Sequence, residues 1–215
     1  MMRRSALVIL SCLVLSGSQV VCRNMDTKDS SALIVGRPLP ESIARQLDEA
    51  GWPSRVGREL GIWVSAAKQQ LVGIEDGRVA FVFPCSTASK GLGTRVNSYQ
   101  TPTGWHEIDD RIGDGAPLGA VFVERKFTGK VWVPEQPTDK DYVLTRILWL
   151  RGLEPGHNAG PGIDSKERYI YIHGTPAEDK IGTPASMGCV RLSNRDVIEV
   201  YDRTAKGTRV LITEW

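Results

Sequence analysis

From Ile62 onward the apolar residues come in short runs with a two-residue period, separated by turn residues. Ile62-Trp63-Val64 is followed by Gln70-Leu71-Val72-Gly73-Ile74 and then by Val79-Ala80-Phe81-Val82-Phe83, with Glu75-Asp76-Gly77-Arg78 joining the last two. An Asp-Gly pair between apolar runs predicts a β-hairpin, because both residues tolerate the positive φ of a tight hairpin turn. Similar runs predict strands over Ala120–Val123, Lys130–Val133, Tyr142–Leu150, Arg168–His173 and Thr208–Thr213, and His106 falls in the alternating stretch Trp105–Ile108. Helical spacing is confined to two places. Pro40 opens a helix to Ala50 with Ile43 and Leu47 on one face, closed by Gly51-Trp52-Pro53. Asn194 is the expected N-cap of a second helix, Arg195–Thr204, whose stripe is Val197, Ile198 and Tyr201. The pattern is that of a mostly β domain over residues 61–215 with one or two short helices, preceded by a linker and short helix over 19–60. The stretch Trp105–Ser165, which holds Gly152, Gly156, Gly160 and Gly162, is long for a strand connection and reads as a lid-like insertion.

Composition supports a turn-rich fold, since Gly 22 and Pro 12 in 215 residues exceed what a helical bundle tolerates. Formal charge is +2 with no Lys/Arg block, so the footprint of a nucleic-acid binder is missing. Met1–Arg4 carries two arginines, Ser5–Leu15 is apolar, and Ser16-Gly17-Ser18 are small, which together predict a secretory signal peptide over 1–18. The run is too short to span a hydrocarbon core of about 30 Å, so membrane contact is expected only through this signal or anchor segment, and the mature chain is expected in the periplasm or cell envelope. Val21 stands where a lipidated Cys22 would need a small residue, which argues against lipidation. In an oxidising compartment a Cys22–Cys85 disulfide is open to the chain and would leave Cys189 free, either as a buried inert thiol or as a functional one.

Tyr169 to Asn194 is where the chemistry concentrates. A thiol nucleophile needs a base within hydrogen-bond reach, a backbone able to turn tightly around the sulfur, and donors for a developing oxyanion. His173 ends a predicted strand, Cys189 follows sixteen residues later, and Gly188 supplies the free backbone. The other histidines fit less well: His106 reads as a packing residue, and His157, in Gly156-His157-Asn158, could at most touch substrate. No Cys-x-x-Cys or His-x-x-x-His pair suggests a metal site.

These residues resemble the L,D-transpeptidase catalytic-domain (YkuD-type) family. His173-Gly174, Ile181-Gly182 and Ser186-Met187-Gly188-Cys189-Val190-Arg191 match its signature in order and spacing, and Ser86-Thr87 with Thr101-Pro102-Thr103-Gly104 looks like a weaker upstream block. Met187 departs from the histidine that often precedes the Gly-Cys pair, so the base is expected to be His173. The resemblance implies a β-sandwich-like fold with the cysteine in a cleft, no cofactor, and acyl transfer on peptidoglycan stem peptides. Cys189 would attack the carbonyl joining the third stem residue to D-Ala, release D-Ala, and pass the acyl group to an amine of another stem or of an envelope-protein lysine. His173 as imidazolium would hold Cys189 as thiolate and later protonate the leaving amine. Gly188 and Cys189 N–H groups would form the oxyanion hole, and Gly174 would orient His173 through its main chain. Arg191 would either tie the elbow's carbonyls or meet a substrate carboxylate, with Ser186 open to the same two roles, and His157 and Asn158 would belong to a substrate lid. Water as acceptor would instead make the chain an L,D-carboxypeptidase or a wall-protein-releasing hydrolase. A non-catalytic wall-binding module is a third reading, opposed by the intact His173 and Cys189.

Overall fold

The computed structural model describes residues 32–134, 138 and 140–215. The predicted signal peptide, Cys22 and the first part of the predicted linker lie outside the described residues. Among those described, no helix is long and apolar enough to cross a membrane.

The chain begins with helices α1 (Glu41–Glu49) and α2 (Trp52–Arg55), then strands β1 (Gly61–Ser65), β2 (Gln70–Glu75) and β3 (Arg78–Pro84). Next come β4 (Gly104–Ile112), β5 (Ala120–Val123), β6 (Lys126–Val131), β7 (Val143–Gly152) and β8 (Tyr171–Gly174). A 3-10 turn at Glu178–Lys180 precedes β9 (Val190–Leu192), helix α3 (Asn194–Arg203) and β10 (Arg209–Thr213). The strands form one sheet in the order β3-β2-β1-β10-β4-β7-β5-β6, with β8 joined to β7 and β9 joined to β8. β7 is therefore a branch point, pairing antiparallel with β4, β5 and β8.

Both faces of the central strands are covered. Ile62 and Val64 of β1 and Val210 and Ile212 of β10 enter a core with Ile172, Val190, Val197 and Val200. Their neighbours Trp63 and Leu211 point the other way, into a second core with Ile43, Leu47, Trp52 and Trp105. A strand buried on both faces selects apolar residues at successive positions, which is why β1 is a short apolar run buried throughout. Burial at about 25 cal/mol per Å² of apolar surface makes these two layers the main stabilising term.

Several sequence expectations are refined. Gly51 takes a left-handed φ of 80°, so Trp52-Pro53 start a second short helix instead of closing the first. Part of the predicted linker is an edge addition to β3, with Gly36 N–H donating to Val79 O and Val79 N–H to Arg37 O. Ser193, not Asn194, caps α3, its hydroxyl accepting from Asp196 N–H. The Trp105–Ser165 stretch contributes four strands, and of these β6 is the one exposed along its whole length, while its hairpin partner β5 buries Ala120, Val121 and Phe122. Cys85 is fully buried and forms no disulfide with any described residue.

Candidate active site

β8 and β9 run parallel, with Ile172 opposite Val190, His173 opposite Arg191 and Gly174 opposite Leu192. Side chains alternate along a strand, and residues in register on neighbouring strands share a face. Ile170, Ile172, Val190 and Leu192 therefore turn into the core, while Tyr171, His173, Cys189 and Arg191 line one cleft of about 410 Å³. Two short strands thus bring together groups sixteen residues apart in the chain.

The sulfur and the imidazole are each fixed by backbone. Tyr171 N–H donates to Cys189 Sγ at 3.4 Å, and the thiol donates to Tyr169 O at the same distance. Tyr169 holds a left-handed φ of 57°, an unusual conformation for a bulky side chain. His173 Nδ1 lies 2.7 Å from Gly174 O. A carbonyl only accepts, so Nδ1 carries the proton and Nε2 is left with a free lone pair. Gly174 is required there because a Cβ would sit 2.4 Å from Asn194 Oδ1 and 3.0 Å from Leu144 O. Asn194 in turn accepts from Thr145 Oγ1 at 2.6 Å and donates to Thr175 O at 2.8 Å. Thr145 lies in the β7 bulge opposite β8, with a φ of 69°.

Burial sets the protonation states. It pushes the Cys189 thiol up to about 11, against the Tyr171 N–H and the Arg191 and Arg168 charges that favour a thiolate. It pulls His173 down to about 4, the Gly174 hydrogen bond opposing only in part. Desolvation thus favours the neutral form of both groups over the expected imidazolium–thiolate pair, at a His173 that is buried and a Cys189 that is only partly so.

The turn before Cys189 is tightly braced. Ser186 Oγ donates to Cys189 O at 2.6 Å and accepts from Gly188 N–H at 3.2 Å, and Thr101 Oγ1 donates to Gly188 O at 2.9 Å. Gly188 has a φ of 133°, a region closed to residues with a side chain. Of the two expected oxyanion donors, Gly188 N–H is already engaged, while Cys189 N–H has no partner among the described residues. Arg191 donates to Ala185 O at 3.1 Å and pairs with Asp141, contacts that suit the bracing one of its two expected roles.

Elsewhere the expectations fare differently. His157 hydrogen-bonds Thr103 Oγ1 at 3.1 Å, Asn158 is fully buried and donates to Thr103 O and Trp105 O, and neither lines the cleft. Both instead hold the start of β4. The hairpin turn Glu124-Arg125 reaches the cleft wall instead. The Arg125 guanidinium covers the Trp149 and Tyr169 rings at 4.8 and 4.9 Å and donates to Tyr171 Oη at 3.3 Å. His106 is a packing residue as expected, bonded to Gly104 O and Ser165 Oγ. Sequence reasoning did not single out Tyr169, Tyr171, Asp141 or Arg168 as site residues.

Residues 59–212 match the sequence profile of the L,D-transpeptidase catalytic domain. The chain is 30% identical over 161 residues to "Probable L,D-transpeptidase ErfK/SrfK" of Escherichia coli K12, covering 72% of this chain and 44% of that protein. It is 39% identical over 98 residues to the Salmonella typhimurium protein of the same name, covering 43% of this chain and 30% of that one. With "Probable L,D-transpeptidase YbiS" of Escherichia coli K12 the identity is 31% over 103 residues, or 46% of this chain and 34% of the relative. The matched segments span less than half the length of each of these relatives. Among solved structures, an L,D-transpeptidase from Mycobacterium smegmatis aligns with a TM-score of 0.44 at 17% identity, over 73% of this chain and 59% of that one.

Proposed function

As the chain belongs to the L,D-transpeptidase catalytic-domain family, we propose that it is a cysteine acyltransferase acting on peptidoglycan tetrapeptide stems in the cell envelope. The observation that carries this reading is the Cys189 thiol in one cleft with a His173 whose Nδ1 is committed to Gly174 O. That commitment leaves Nε2 as the base. In the first half-reaction Sγ attacks the carbonyl between the third stem residue and D-Ala, and the thiol proton passes to Nε2. The C–N bond then breaks, the Nε2 proton goes to the departing amine, and D-Ala leaves behind a thioester on Cys189. In the second, an amine attacks the thioester, gives its proton through Nε2 to the sulfur, and a new amide forms.

The unused Cys189 N–H is suited to the oxyanion, where one donor typically contributes about 3 kcal/mol. Gly188 N–H would contribute only by releasing Ser186. The acceptor amine belongs to a second stem or to an envelope-protein lysine, and the arginine-led apolar start of the sequence supports export to that compartment. No cofactor enters these steps.

The test is mass spectrometry of purified tetrapeptide-stem fragments incubated with the protein. Crosslinked dimer with an equal amount of free D-Ala is expected. Tripeptide product without dimer would replace the transferase by a hydrolase, and absence of D-Ala release would overturn the catalytic reading.

A further inference from the structure

Two cationic side chains line the cleft, Arg191 and Arg168. They differ in what neutralises them. Arg191 has a carboxylate partner in Asp141. Arg168 is about half-buried and donates to Gly93 O at 3.2 Å, Ser98 Oγ at 3.3 Å and Gln100 O at 2.7 Å, all neutral acceptors. Among the described residues no carboxylate pairs with it. A guanidinium has five N–H donors, so these three bonds leave two for a ligand. A partly desolvated cation without a counter-ion is unfavourable unless an anion arrives to complete it.

The position of Arg168 says which anion. It directly precedes Tyr169, whose carbonyl holds Cys189 Sγ, and its charge reaches that sulfur. On the proposed reading, to which this inference is tied, the leaving group is a single D-amino acid. Its α-carboxylate lies one residue, about 4 Å, beyond the carbonyl that Sγ attacks. We infer that Arg168 recognises the free α-carboxylate of the leaving residue, and so restricts donors to stems that end one residue past the scissile bond. A longer stem presents an amide at that place, which cannot neutralise the guanidinium.

The rival role is purely structural. All three acceptors of Arg168 lie in the segment 93–100, which carries Val96, Asn97 and Tyr99 of the cleft wall. A brace would affect every donor alike, whereas a carboxylate reader affects only the acid. The experiment therefore compares two synthetic stems, one ending in D-Ala carboxylate and one in D-Ala amide, by release of the terminal residue. Wild type is expected to favour the acid by about tenfold or more in kcat/KM, the scale of a charge-assisted hydrogen bond. In Arg168→Met the acid-to-amide ratio should fall to about one through loss of the acid reaction. Arg168→Lys keeps a charge on an apolar stem, and it should retain part of the preference even if Arg168→Met does not fold. Equal use of both donors by wild type, or an unchanged ratio in the folded variants, overturns the inference alone. Failure of wild type to release the residue from either donor overturns the parent reading and this inference with it.

Discussion

At Cys189, only partly buried in the cleft, desolvation still outweighs the Tyr171 N–H and two guanidiniums and pushes the thiol up to about 11, while burial pulls His173 down to about 4. Across the interval between these values both groups are neutral, and on the proposed mechanism the proton would move only as a substrate carbonyl takes up the developing charge. Reactivity toward iodoacetamide follows the thiolate fraction. The rate at Cys189 is therefore expected to climb roughly tenfold per pH unit from pH 6 to 9, with peptide mapping separating it from other thiols. A flat rate from pH 5 to 8, lost in His173→Ala, would mean a resting ion pair and would contradict this assignment. That His173 and Cys189 would share one cleft was legible in the sequence, because His173-Gly174 and Ser186-x-Gly188-Cys189 are signatures carried by side-chain identity. Tyr169 and Tyr171 were not, since they act through main-chain groups that any residue possesses. Asp141 was hidden for another reason: its link to Arg191 spans 50 positions, and no local spacing announces such a pair.

Strands β8 and β9 do for the site what no single loop could, since the alternation that buries Ile172, Val190 and Leu192 obliges His173 and Cys189 to face the cleft. Their register depends on close approach at Gly174. Gly174→Ala would put a methyl 2.4 Å from Asn194 Oδ1 and 3.0 Å from the Leu144 carbonyl. Overpacking of this kind costs about 1–3 kcal/mol. The variant should melt several degrees below wild type and lose kcat/KM as His173 is displaced, and an unchanged melting temperature with full activity would contradict the packing argument. At this scale the sequence was readable where burial imposed a pattern. β2, β3, β5 and β10 fall where their apolar runs predicted. β6 was placed at Lys130–Val133 but spans Lys126–Val131, because a fully exposed hairpin strand leaves no periodic trace. β9 was missed because three residues flanked by Gly-Cys and Ser-Asn are too few to show alternation. Asn194 looked like a helix cap, yet its side chain is drawn instead to Thr145 and Thr175 by the stronger demand of a buried carbonyl and hydroxyl.

The domain formed by the described residues has a sheet whose central strands are covered on both faces, and its branch at β7 carries β8 and β9 away from the central layer. α1 and α2 cover one face, α3 with β8 and β9 the other, and the cleft opens on the far side of β8 and β9 from the core. A rigid two-sided support suits a site in which backbone groups, more than side chains, set the position of the sulfur and the tautomer of the imidazole. The overall class was readable from composition and run length, but the branch was not, since nothing local in β7 tells that one strand serves three neighbours. On the proposed mechanism this frame would make Cys189 the carrier of the acyl group. Intact-protein mass spectrometry after rapid mixing with a tetrapeptide stem, without acceptor, tests it directly, with the adduct mapped by proteolysis. An added mass equal to the stem less D-Ala is expected on the peptide containing Cys189, present in Cys85→Ser and absent in Cys189→Ala. An adduct on another residue, or D-Ala release that persists in Cys189→Ala, would contradict it.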